Sequence, residues 1–144
     1  MKIELTGEKE IRAAFAALIP RIQEKAVARL AQKVFSDVVD GADSHTKTGS
    51  LHQSVQLRKT AATEYVVYHE SQIAPYWRFV HWGAKPHVIR PNRKKVLRWP
   101  SGNGFMFAKF VNHPGYKGDP YMVKAMQNAP RYFEQIIKSI GTEV

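Results

Sequence analysis

Apolar positions in the first quarter of the chain recur with helical spacing. Ile11, Phe15 and Leu18 share one face, and beyond Pro20 the series Ile22, Ala26, Leu30, Val34 and Val38 repeats every four residues with Val27 and Ala31 alongside. The pattern predicts helix from Glu8 to Val39, capped by Thr6 and closed by Gly41. Pro20 removes a backbone donor, so a kink is expected, or two helices meeting near Ile19. The polar run Asp43–Ser50 (DSHTKTGS) then reads as an exposed loop. Ser54–Lys59 and Glu64–His69 have the alternation and the β-branched and aromatic content of strands, which makes a hairpin joined around Thr60–Thr63.

The remaining third before the last helix is more broken. Tyr76, Phe79 and Val80, with Gly83 closing, predict a short helix within Pro75–Gly83. His87–Arg90 and Lys95–Trp99 are short strands split by Pro91, and the turn Ser101-Gly102-Asn103-Gly104 leads into a strand over Phe105–Val111. Asp119-Pro120 opens a final helix whose apolar face is Tyr121, Met122, Ala125, Met126 and Ala129, continued past Pro130 by Phe133, Ile136, Ile137 and Ile140. The expected class is α+β: a long kinked N-terminal helix (or two helices) and a C-terminal helix packed on an antiparallel sheet built from two hairpins. With 144 residues, 44% of them hydrophobic, the chain suits a single domain, 1–144, with 43–50 as an exposed loop.

Charge changes this picture. Ser71–Gly118 contains no acidic residue but nine basic ones, Arg78, Lys85, Arg90, Arg93, Lys94, Lys95, Arg98, Lys109 and Lys117, so nearly all of the net +10 lies in one third of the chain. Lysine and arginine at that density suit a polyanion, or the acidic face of another protein. The opening MKIELTGEKE lacks the apolar core of a signal peptide and no run approaches a membrane span, so a soluble chain made in the cytoplasm is expected, with no membrane partner.

The chemistry a catalyst needs is sparse. Cysteine is absent, which removes disulfides, thiolate nucleophiles and cysteine zinc sites. Nucleophile elbow, phosphate loop and dinucleotide fingerprint are missing, and neither a cofactor nor a metal is expected. A zinc site from His81, His87 and His113 would have to be assembled by the fold. A small toxin-type ribonuclease working through His81, Arg98, His113 and Tyr116 is one alternative, and a basic nucleic-acid-binding module, with bases stacked on Tyr76, Trp77, Phe79, Trp82 and Trp99, is another. Aromatics at such spacing more often pack under helices.

Five segments occur in a telling order: Thr48-Gly49-Ser50-Leu51 with Ser54; Phe79-Val80-His81-Trp82-Gly83; Pro91-Asn92-Arg93-Lys94-Lys95; His113-Pro114-Gly115; and Pro120-Tyr121-Met122 with Ala125. Together they cover about the last two thirds of the chain, and in them it resembles the small tail-completion proteins of long-tailed bacteriophages, also called neck, head-to-tail joining or minor tail-component proteins. Virion morphogenesis proteins of transposable phages look broadly similar. His81 departs from the pattern where many relatives look acidic, and Pro130 departs from a straight final helix. The resemblance implies a non-enzymatic virion protein at the head-to-tail junction or tail, assembled as a homo-oligomeric ring of open subunit number. It would dock to connector or head-completion proteins and to tail-terminator or tail-tube proteins. Arg90, Arg93, Lys94, Lys95 and Arg98 are then expected to meet acidic neighbouring subunits, with transient contact to double-stranded DNA as the competing account.

Overall fold

The computed structural model describes residues 8–142; Thr6 and the side chains of Ile11 and Phe15 fall outside that description. Helix α1 (Glu8–Asp43) is one helix of 36 residues that runs unbroken through Pro20 and Gly41. Neither the two-helix alternative nor the Gly41 terminus is found. The buried stripe Ala26, Val34, Val38 and Ala42 carries helical spacing past the glycine, and this burial holds the backbone helical. Gly41 has a different reason to be glycine: a Cβ there would lie 2.6 Å from the Cβ of Tyr121.

Tyr121 begins α4 (Tyr121–Thr142), which runs directly on from Pro120 and, like α1, passes through a proline, here Pro130. Helices α1 and α4 pack together through Ala26, Ile136 and Ile140, with Ile22, Leu30 and Tyr132 against them. A polar clasp joins the same pair: Asn128 Nδ2 and Tyr132 OH both donate to Asp37 Oδ2, at 3.1 and 2.8 Å. The bond to Asp37 pushes the Tyr132 phenol above its ordinary pKa, helped by desolvation. Of the apolar face expected for α4, Tyr121, Ala125, Ile136 and Ile140 are buried, whereas Met126, Phe133 and Ile137 stand exposed.

The first hairpin is where the alternation puts it. Strands β1 (Val55–Ala61) and β2 (Glu64–His69) pair antiparallel, Val55 opposite His69, and both pack on α1. A four-residue helix not foreseen in the sequence, α2 (Ser50–Gln53), precedes them. The expected loop ahead of it is held by local bonds, Ser44 Oγ to the Gly41 carbonyl at 2.7 Å and the Gly49 amide to Thr46 Oγ1 at 2.8 Å. His45, Thr46 and Gly49 within it are partly buried, so only part of 43–50 is fully exposed.

Between Tyr76 and Pro120 lie α3 (Trp77–Trp82), β3 (His87–Ile89), β4 (Leu97–Ser101), β5 (Gly104–Ala108) and β6 (Val111–His113). The strand expected over Phe105–Val111 is two strands: β5 pairs with β4, and β6 pairs with β3. The α+β class holds, with two long helices and antiparallel strands forming three separate two-stranded sheets. The chain, read above as one domain, divides into two compact units: Tyr76–Pro120, here the inserted unit, and the host unit made of everything before and after it. Among the described residues no helix is long and apolar enough to cross a membrane.

Candidate interaction surface

In the host unit the motif residues Thr48, Gly49, Leu51, Ser54, Tyr121 and Ala125 build structure. Gly49 sits at the N-cap of α2 with φ +82°, a left-handed conformation that lets the chain turn sharply from the loop into the helix. Thr48 Oγ1 and Ser50 Oγ are 3.1 Å apart across that turn. Leu51 is fully buried at 0% exposure, and Ala125 is buried beside the first turn of α4.

Ser54 anchors a buried relay. Its hydroxyl donates to the Leu51 carbonyl at 2.6 Å, and its Oγ lies 2.6 Å from His69 Nδ1. A hydroxyl has one proton to give, so Nδ1 carries the hydrogen and donates to Oγ. In the neutral ring Nε2 is then the acceptor, and Tyr121 OH, 2.7 Å away, donates to it. The proton order is Tyr121 to His69 to Ser54 to the Leu51 carbonyl, and all three side chains are buried. A histidine that activates a serine must take the hydroxyl proton, whereas here the imidazole gives one. The relay fastens α2, β2 and α4 together. His69 was not singled out in the sequence, yet the alternation Tyr65, Val67, His69 along β2 already places it on the inward face.

In the inserted unit Trp82, Gly83, His113, Pro114 and Gly115 meet at one crossing. Ala84 and Tyr116 exchange backbone hydrogen bonds, each 2.8 Å, and the Asp119 amide donates to the Val80 carbonyl at 2.9 Å. These bonds press Gly118 (φ +74°) against Gly83 (φ +83°): a Cβ on Gly118 would lie 2.3 Å from the Gly83 nitrogen. His113 Nδ1 accepts the Gly115 amide at 3.1 Å, which closes the His-Pro-Gly turn around a proline with no donor of its own. His87 stands opposite His113 across β3 and β6 with the rings stacked at 5.0 Å. Its Nδ1–H donates to the Lys85 carbonyl at 2.8 Å. Among the described residues no group of three or more His, Asp or Glu is placed to hold a metal ion.

Of the face predicted for α3, only Val80 is partly buried. Tyr76 and Phe79 are exposed, and the buried residue is His81, 2% exposed, with the Trp82 ring centroid 4.3 Å away and the Trp77 ring edge-on at 6.3 Å. Burial holds its pKa below the ordinary 6.5, against an opposing pull from the Asp119 carboxylate. A depressed folded-state value means the unfolded chain takes the proton first on acidification. The stability His81 contributes is therefore present above about pH 6.5 and lost as pH falls through the folded value. The unfolding midpoint is expected to drop between neutral and mildly acidic buffer, and to drop less in His81→Gln; parallel pH profiles for the two proteins would exclude His81 as the source.

The basic run is open to solvent throughout. Arg90, Arg93, Lys94, Lys95 and Arg98 are all exposed, most of them on the connection between β3 and β4. Arg98 lies over the Phe105 ring with the guanidinium 3.6 Å from its centroid, and Arg90 lies over Phe110 at 5.6 Å. Aromatic exposure is the larger surprise. Eleven of the eighteen large apolar side chains exposed among the described residues belong to the inserted unit, Trp82 at 66% and Phe107 at 62% among them. Of the residues named above for a ribonuclease, Arg98 lies over Phe105, His81 is buried beside Trp82, His113 accepts the Gly115 amide, and Tyr116 bonds Ala84 through its backbone while its side chain stands exposed.

Comparisons with protein-family models, with curated proteins and with solved structures find no match to this chain.

Proposed function

We propose that this chain is a structural, non-enzymatic subunit of a phage or prophage particle at the head-to-tail junction. In that role it assembles as a ring that docks to connector and tail proteins after synthesis in the host cytoplasm. The observation that carries the reading is the surface of the inserted unit, where exposed Trp82, Phe79, Phe107 and Phe110 share 45 residues with nine cations and a single carboxylate, Asp119. A monomer in water seldom leaves so much aromatic surface uncovered, and such surface rimmed by charge suits a protein partner. The motif positions Gly83, His113 and Gly115 support the same reading, since they set turns within the unit that bears this surface.

Facing acidic protein is favoured over facing DNA. Arg98 and Arg90 lie over the rings of Phe105 and Phe110, pairings suited to a desolvated protein interface, and a conduit for DNA is ill served by many phosphate contacts at once. Deleting the gene from the virus that carries it is expected to leave filled heads and finished tails unjoined, seen by electron microscopy of lysates. Normal infectious particles from the deletion would refute the reading.

A further inference from the structure

Two apolar features of this chain lack a counterpart within their own units. The first is the hairpin β4–β5, where Phe105, Met106 and Phe107 are consecutive and each more than half exposed. Successive residues of a strand point to opposite faces, so both faces of this hairpin are apolar and open, and no third strand pairs with either edge. The second is a groove of about 310 Å³ in the host unit, walled by Val27 and Ala31 of α1, Val67 of β2, and Met122 and Met126 of α4, with exposed Glu64 beside them. Every methionine after Met1 lies in one of these two places: Met106 on the hairpin, Met122 and Met126 in the groove. Unbranched, polarizable side chains adapt to an incoming surface, so their concentration here suits contact.

Charge selects the occupant and the geometry. The inserted unit carries nine cations and one acid, and the charged side chain that lines the groove is an acid, Glu64. Two hairpins meeting face to face would bring like charge against like, which disfavours a two-fold contact. A hairpin meeting the groove of another copy brings Arg98 and Lys109 toward Glu64 and covers both apolar features at once.

We infer that the β4–β5 hairpin of one copy seats in the α1–β2–α4 groove of a second copy, a head-to-tail contact that repeats around a ring. The inference rests on the reading above of an assembling subunit and adds the surfaces by which copies join. Head-to-tail contacts close into rings when the rotation permits and extend into filaments when it does not.

The chain has no cysteine, so introduced thiols are the only ones present. Phe107→Cys and Met126→Cys proteins, one of them carrying a size tag, are mixed and treated with a short bis-maleimide. The expected product is the mixed dimer, in at least about tenfold excess over the homodimer of either protein alone. Phe107→Asp, with an unchanged circular dichroism spectrum, is expected to weaken self-association measured by light scattering by at least about tenfold. Preferential Phe107→Cys homodimers would overturn the inference in favour of a hairpin-to-hairpin contact. In a third protein carrying both Phe107→Cys and Met126→Cys, a cross-link formed only within single chains would overturn it in favour of a hairpin covering its own groove. Oligomers that form without the mixed cross-link, or a protein that stays monomeric, would overturn it as well. None of these outcomes bears on the deletion experiment, so the contact and the proposed role fail separately.

Discussion

Gly118→Ala is expected to abolish the native structure of Tyr76–Pro120. Two costs add at this position. A residue with a Cβ held at φ +74° loses roughly 1–2 kcal/mol to steric conflict with its own backbone. That Cβ would also sit 2.3 Å from the Gly83 nitrogen and 2.6 Å from the Trp82 carbonyl carbon, backbone atoms that cannot rotate out of the way. The crossing that ties α3 to the segment after β6 must open, and the total exceeds about 3 kcal/mol, a large part of the stability of a small unit. Gly102 is the matched control, because it too has positive φ, +57°, but nothing lies within 4 Å of where its Cβ would be. Amide hydrogen exchange across residues 76–120 distinguishes them: protection should vanish in Gly118→Ala and persist in Gly102→Ala. Equal protection in the two variants would show that the close approach is not a constraint.

His69→Leu is expected to destabilise the host unit by about 2–5 kcal/mol, because one substitution takes a hydrogen-bond partner from each of two buried hydroxyls. Tyr121 OH loses its acceptor and Ser54 Oγ loses its donor, while Ser54 keeps its bond to Leu51. Tyr121→Phe alone should cost about 1–3 kcal/mol. The double variant is the sharper test, since removing the phenol from a protein that already lacks the imidazole takes away a group whose bond to that ring is already gone. Its cost should fall short of the sum of the singles by at least about 0.5 kcal/mol in urea unfolding. Strict additivity would mean that the relay is not one network.

Much of this architecture was legible in the sequence, wherever a residue's reason for being there is local. The four-residue repeat from Ile22 to Val38 marks α1, and Glu64–His69 is β2 to the residue. The Ser-Gly-Asn-Gly turn marks the β4–β5 hairpin. The failures share a cause, which is a partner distant in sequence. Gly41 has the look of a terminator and is glycine because Tyr121 lies against it, eighty residues further on. Phe105–Val111 reads as one strand, but β6 is claimed by β3 across the intervening hairpin. His81 falls on the polar side of an amphipathic count for α3 and is nevertheless the buried residue, because Phe79 and Trp82 are turned outward.

The surface was legible in charge and illegible in its apolar component. An exposed lysine run announces itself, since a buried one would need partners that Ser71–Gly118 does not contain. Nothing in the sequence separates an aromatic residue that fills a core from one left at the surface, and Phe105 and Phe107 are exposed. Ser54 and Tyr121 were picked out as motif positions, but their shared partner His69 shows only in the alternation of β2.

The division of the host unit into two chain segments has a consequence for synthesis. A ribosome releases α1 long before α4, and the inserted unit, whose pairings all lie within Tyr76–Pro120, is complete in sequence while the stripe Ala26, Val34, Val38 and Ala42 still awaits part of its cover. The host unit acquires its last wall only when the C-terminal segment emerges. A nascent chain arrested near Pro120 would thus present a foldable module tethered to an unfinished one, and premature termination in the final helix would free a sticky α1 in the cell.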